Sequence, residues 1–194
     1  AMQRAWEIIK PGLSEEDIAL AIQNSFSDQG ASPQFSIVAS GENSAFPHHQ
    51  TGSRKLKEGD AIVIDLGGRF EGYTSDITRM STIGHPHKDY ALVHQIVEDA
   101  ICAALKAAIP GEIAKNVDKA AREAIEKEGF GKYFVHRTGH GLGTEIHEAP
   151  FITSSSETIL EPGMVFSIEP GIYMPGKFGV RLEEIVILHD DGPE

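Results

Sequence analysis

The run Ala61-Ile62-Val63-Ile64-Asp65-Leu66 is apolar except for one aspartate, and that exception constrains the fold more than any other feature. A short apolar run of this kind reads as a buried strand. An ionised carboxylate inside it is costly unless it is paired, hydrogen-bonded or bound to metal. Asp76 beside Ile77, Glu169 beside Ile168 and Glu183 after Leu182 pose the same problem. Only Arg79 and Arg181 lie close to them in sequence, too few bases to pair four acids. The chain must therefore gather these acids around another source of positive charge.

His140, in the glycine-rich Thr138-Gly139-His140-Gly141, is the fifth member of the set. Asp65 and Asp76 stand 11 residues apart, His140 and Glu169 29 apart, and Glu169 and Glu183 14 apart. Our reading is that the five hold two divalent metal ions. Carboxylates with one imidazole and no thiolate suit Mn²⁺, Co²⁺, Fe²⁺ or Zn²⁺. Two such ions roughly 3.5–4 Å apart hold a hydroxide and polarise a carbonyl, which is equipment for hydrolysis.

The rest of the chain is organised around that centre. Met2 to Lys10 reads as the tail of a helix stopped by Pro11-Gly12. Ser14 caps a second helix with Glu15, Glu16 and Asp17 in its first turn, and Gly30 ends it. Residues 35–39 read as a strand, 41–57 as a polar loop, and 61–66 and 73–83 as a hairpin turning at Phe70-Glu71-Gly72. Residues 88–108 form a helix with Leu92, Ile96, Ala100 and Ala103 or Ala104 inward, and 117–128 another. Strand and loop follow from Lys132, with strands at 164–169 and 179–188. There is also an internal echo: Asp65 follows Gly59 and Glu169 follows Gly163 by six residues, and each precedes a second glycine by two. Two helix-plus-hairpin halves facing each other bring the acids to one cleft.

A formal net charge of −12 argues against nucleic acid, which needs clustered Lys and Arg. No run approaches the roughly 20 apolar residues of a membrane span. The single cysteine, Cys102, fits a reducing compartment and places the protein in the cytoplasm. It is expected to be a small buried hydrophobe rather than a nucleophile.

At its motifs the chain resembles the pita-bread-fold metallopeptidases, within them the aminopeptidase P and prolidase (Xaa-Pro dipeptidase) branch. The motifs are Asp65-Leu66-Gly67, Ser75-Asp76-Ile77-Thr78-Arg79, Gly139-His140-Gly141-Leu142-Gly143 with His147-Glu148, Glu169-Pro170-Gly171-Ile172-Tyr173 and Gly179-Val180-Arg181-Leu182-Glu183. The resemblance implies an α+β fold of two pseudo-symmetric helix-plus-antiparallel-sheet halves around a central metal cleft. It implies two divalent ions, manganese foremost, held by Asp65, Asp76, His140, Glu169 and Glu183. Glu169 then also moves the proton, His147 and His48 serve catalysis, and His136 and Arg181 border the substrate. The implied activity is that of a metallo-exopeptidase, cleaving after an amino-terminal residue, with Xaa-Pro peptides as substrates and a metal-activated hydroxide as nucleophile. The family usually carries threonine where Met80 stands, and an additional amino-terminal domain, so residues 1–194 read as a catalytic domain and the full-length protein as a homodimer.

Two other readings stay open on the residues. One keeps the metals for a non-peptide hydrolase or lyase. The other keeps only the fold, as a binding scaffold, and five intact ligands speak against it.

Overall fold

In the computed structural model, which describes residues 1–194, the first half is built on three antiparallel strands. The order is α1 (Met2–Ile8), α2 (Glu15–Asp28), β1 (Ser32–Ser40), a 3₁₀ turn (Gly41–Ala45), β2 (Ala61–Phe70) and β3 (Tyr73–Thr82). α2 starts where Ser14 and Asp17 bond each other's backbone N–H in a capping box. It stops before Gly30, whose φ of +77° no β-carbon favours. Its Ile18 and Ile22 are fully buried against Val38, Ile62, Ile64 and Leu66. Burial of that kind is worth about 1.5–3 kcal/mol per side chain.

Residues directly opposite in a sheet share a face. The register Ile37–Asp65–Thr78, with Phe35–Gly67–Asp76 on the next same-face rung, therefore sets both aspartates on the face turned away from α2. That face is one wall of a cleft. The hairpin turns at Glu71-Gly72, both with positive φ.

The second half contains α3 (Tyr90–Ala107), α4 (Ala114–Lys127), a 3₁₀ turn (Gly131–Tyr133) and seven short strands. These are β4 (Gly139–Gly141), β5 (Glu148–Ile152), β6 (Val165–Ile168), β7 (Gly171–Met174), β8 (Phe178–Arg181), β9 (Glu184–His189) and β10 (Gly192–Pro193). Five form a sheet in the order β10-β9-β6-β4-β5, and β7 and β8 form a hairpin beside it. α3 and α4 cover the sheet through a larger core that includes Val97, Val117, Ile125, Phe166, Ile168 and Val186. Met80, from the first half, packs partly buried against this core.

The internal echo is a property of the fold. Ser14, just before α2, bridges Lys55 ahead of β2, and Ile113, just before α4, bridges Ile159 ahead of β6. Gly12 and Gly111, and Gly59 and Gly163, share positive φ at matching places. No helix is long and apolar enough to cross a membrane.

Several expectations need correction. Leu92 is 56% exposed, and Val93, Ile96, Val97, Ala100, Ile101 and Ala104 form the buried stripe of α3. Cys102 is exposed, because it lies on the outer side of that helix. Glu15 lies in the first turn of α2 as expected, and is completely buried there. β1 and β2 run longer than 35–39 and 61–66, α4 begins at Ala114, and the short β4, β5 and β7 had no period to reveal them.

Candidate metal centre

The regular hairpin brings up Asp65 and Asp76; the other three residues come from short or broken strands. His140 is the middle residue of β4, and its backbone N–H donates to Ser167 Oγ at 3.0 Å. Glu169 follows β6, anchored by its N–H donating to Thr138 O at 2.7 Å. Glu183 lies between β8 and β9, and its N–H crosses to Thr78 O of β3 at 3.3 Å. Thr78 Oγ1 in turn donates to Glu183 Oε2 at 2.9 Å, and Arg79 donates to the Glu183 carbonyl. The two halves are thus stitched at the residue that completes the centre.

All five expected ligands line one cleft of about 670 Å³, together with Phe35, Ile37, Pro47, His48, His136, Arg137, Ile146, His147 and Arg181. Potential ligand atoms of Asp76, His140 and Glu183 lie within 4.8 Å of one another. His140 Nε2 is 3.2 Å from Glu169 Oε1 and 3.6 Å from Asp76 Oδ2. His147 stands edge-on to His140 with ring centroids 4.2 Å apart, and His48 is exposed to the cleft. His85, His87, His94 and His189 do not line it.

Arg181 is 4% exposed and already committed. It donates to Asp65 Oδ2 at 2.7 Å, Tyr173 Oη at 2.9 Å and Pro47 O at 3.3 Å. One of the four acids is therefore ion-paired, which sequence proximity alone did not establish. His136 is held between Tyr173 Oη and the Arg137 carbonyl, 2.7 Å from each. Burial drives its pKa down to about 4, so it is neutral near pH 7.

One guanidinium does not balance this cleft. Burial, then the charges of Asp65 and Glu169, push Asp76 up to about 8. Burial and the charge of Asp76 push Glu183 well above the carboxylate range, and burial raises Asp65 against the pull of Arg181. Glu169 goes the other way: burial works against its charge, but the His140 hydrogen bond and the positive charge of Arg181 hold it low. Asp65 Oδ1 and Glu183 Oε1 are buried with no hydrogen-bond partner. Orphaned carboxylate oxygens beside an imidazole nitrogen are the donor set that divalent cations satisfy. The residues fit such ions.

The residues that hold this arrangement from behind were not singled out in the sequence. Asp118 is buried on α4 and accepts from Arg122 and from Thr138 N and Oγ1, while Arg122 also donates to the carbonyls of Phe134 and His136. An i, i+4 acid–base pair is ordinary on a helix surface, so nothing in the sequence marked this one as buried.

Comparison with known proteins follows the same lines. The profile of metallopeptidase family M24 matches residues 1–190. The probable dipeptidase PepE of Mycobacterium tuberculosis is 46% identical over 191 residues, which are 97% of this chain and 51% of that protein. The Xaa-Pro dipeptidase of Pyrococcus furiosus is 43% identical over 194 residues, 99% of this chain and 56% of that one. Among solved structures, the prolidase from Pyrococcus furiosus superposes with a TM-score of 0.97 at 42% identity, covering 100% of this chain and 58% of that one. The X-Pro aminopeptidase from Thermotoga maritima gives 0.95 at 42% identity, covering 100% and 55%. The chain spans about half the length of the relatives it matches.

Proposed function

The chain belongs to metallopeptidase family M24, and from that premise we propose that it is the catalytic domain of an exopeptidase that removes an amino-terminal residue preceding proline. The observation that carries this reading is the convergence of Asp65, Asp76, His140, Glu169 and Glu183 in one cleft, with two carboxylate oxygens lacking partners. Relatives named as Xaa-Pro dipeptidase and X-Pro aminopeptidase support the substrate class.

Asp65, Asp76, His140, Glu169 and Glu183 hold two divalent ions, and their hard, thiol-free donor set favours Mn²⁺. When bound, the ions supply Lewis acidity and bring the pKa of a water towards ~7. Glu169 takes the proton of the attacking water and returns it to the departing proline nitrogen. His147 donates to the carbonyl oxygen as negative charge develops there, and His48, which lines the same cleft, contacts the substrate. His136, neutral and fixed by Tyr173, lines the pocket. Arg181 borders the pocket and acts on the chemistry through Asp65, which it orients.

The substrate is a short peptide, and nucleic acid is not a partner of a chain with net charge −12. The full-length protein is proposed to work as a cytoplasmic homodimer. Its lone cysteine is in keeping with a reducing compartment.

Glu169→Gln in the metal-reconstituted full-length enzyme tests the proton role. Turnover of Xaa-Pro substrates should fall about 10²–10⁴-fold with metal content unchanged; undiminished turnover rejects it. A length series from Xaa-Pro dipeptides to longer Xaa-Pro peptides separates dipeptidase from aminopeptidase. Inactivity towards all of them, with the ions bound, returns the chain to the non-peptide alternative.

A further inference from the structure

Glu15 opens α2 behind the cleft wall, and its side chain is fully buried with no lysine or arginine in direct ion-pair contact, Arg54 reaching it only through the Ser40 hydroxyl. Its carboxylate is nevertheless saturated. Oε1 accepts from Ser40 N at 2.7 Å, Ser40 Oγ at 2.7 Å and Asn43 Nδ2 at 3.0 Å. Oε2 lies 2.8 Å from His49 Nε2 and accepts from Gly52 N at 3.3 Å. All five donors belong to one stretch, residues 40–52, which leaves the sheet at the end of β1 and returns past the cleft. A carboxylate has about four lone-pair sites, so five donors take up the whole capacity of Glu15 on this stretch.

The far side of the same stretch meets the second half of the molecule. Ser44 Oγ accepts from Gly179 N at 2.8 Å, and Pro47 O accepts from Arg181 Nη1 at 3.3 Å. His48, between Pro47 and the Glu15-bound His49, lines the cleft beside Pro47 and is the only ionisable residue of the stretch that does so. The stretch is thus clamped from behind by one carboxylate and from in front by β8, with His48 at the crest.

We propose that Glu15, with His49 as its strongest tie beyond the turn, is a positioning residue that sets His48 against the substrate. The inference rests on the peptidase reading above and deepens it. Neither residue touches the cleft, and each acts only through His48. A 1 Å displacement of a group that must meet a reacting substrate costs about a hundredfold, so the clamp has a kinetic consequence.

A double-mutant cycle in the metal-reconstituted full-length enzyme tests this. In Glu15→Gln the amide oxygen keeps the Ser40 and Asn43 contacts, while the amide nitrogen opposes the Gly52 donor and releases the His49 side. Glu15→Gln and His49→Ala should each lower kcat/KM for an Xaa-Pro substrate about tenfold, with bound metal unchanged. His49→Gln, which restores a donor, should recover it to within about twofold. In a His48→Ala background neither change should cost more than about a further twofold, because the residue they position is gone.

Multiplicative losses in the His48→Ala background overturn the proposal and make Glu15 a purely structural group. Wild-type kcat/KM in both Glu15→Gln and His49→Ala also overturns it. If Glu15→Gln does not fold, the His49 pair carries the cycle alone. Amide exchange over residues 40–52 provides a readout that does not depend on turnover. If it rises in the His49→Ala protein while His48→Ala is fully active, the clamp exists but the role given to His48 is wrong. Unchanged exchange in that variant means there is no clamp.

Discussion

The two halves face the same task and solve it with different chemistry. Each must fix an irregular stretch at the rim of the cleft against the helix behind it. The first half does so with a carboxylate and neutral donors: Glu15 gathers Ser40, Asn43, His49 and Gly52. The second does so with an ion pair: Asp118 and Arg122 on α4 hold Phe134, His136 and Thr138. The hairpin halves echo each other in acids and glycines, whereas these anchors do not align. Ligand geometry is repeated because both halves must reach one centre, and anchoring is not, because any satisfied buried polar group will serve.

The largest test asks whether the halves are held apart by charge when the cations are stripped. Asp76 is raised to about 8 and Glu183 is also raised, against about 4 for exposed carboxylates. A group whose folded pKa is raised contributes stability below its unfolded pKa and loses it as pH climbs through the folded value. The chelated protein should therefore lose Tm steadily from pH 5 to 8. Re-added Mn²⁺ should restore more at pH 8 than at pH 5; a flat apo-protein profile, followed by calorimetry, contradicts the charge imbalance.

Next in size is the second half's anchor. Asp118→Ala strands a guanidinium that is 27% exposed, so urea unfolding should show a loss of about 2–3 kcal/mol, short of a fully buried pair. A loss below about 0.5 kcal/mol leaves the comparison without its ionic side.

Gly179→Ala addresses the join. A β-carbon there meets Ser44 O at 2.1 Å, so β8 and the first half's rim must separate. We expect about 1–3 kcal/mol from this overpacking, with exchange increasing around Ser44 and little change in α4. Equal loosening of both rims is the result that breaks the two-anchor picture.

The smallest effect concerns His136. With a pKa of about 4 against 6.5 unfolded, it remains neutral from pH 8 down to 5, and NMR titration of the ring should show no protonation over that range. The sign is that of a depressed base: the folded state loses stability as pH falls from 6.5 towards 4.

What could be read in advance follows the same division. Asp65 and Asp76 stood out because a strand's alternation makes a charge in an apolar run conspicuous, and the turn at Glu71-Gly72 fixes their register. His140 stood out through its glycine-rich setting, and Glu169 and Glu183 through their apolar neighbours Ile168 and Leu182, though β4 is too short for periodicity and the two glutamates lie just outside the strands beside them. Glu15 was hidden because an acid in a helix's first turn is what a solvated helix also shows. Leu92 and Val93 are adjacent and both fit a stripe through Ile96 and Ala100; only packing against the sheet selects Val93. Cys102 sits one step round the helix from buried Ile101, and composition does not report that angle.

The contact from Thr78 to Glu183 joins residues 105 positions apart. A ribosome that has released the whole β2–β3 hairpin has delivered Asp65 and Asp76 but must still emit a hundred residues before their partner arrives. At that stage the nascent hairpin carries two carboxylates before His140, Arg181 or Glu183 has been made, and its cleft face has nothing to close against. The complete set of five cleft residues therefore exists only once nearly all of residues 1–194 have been made.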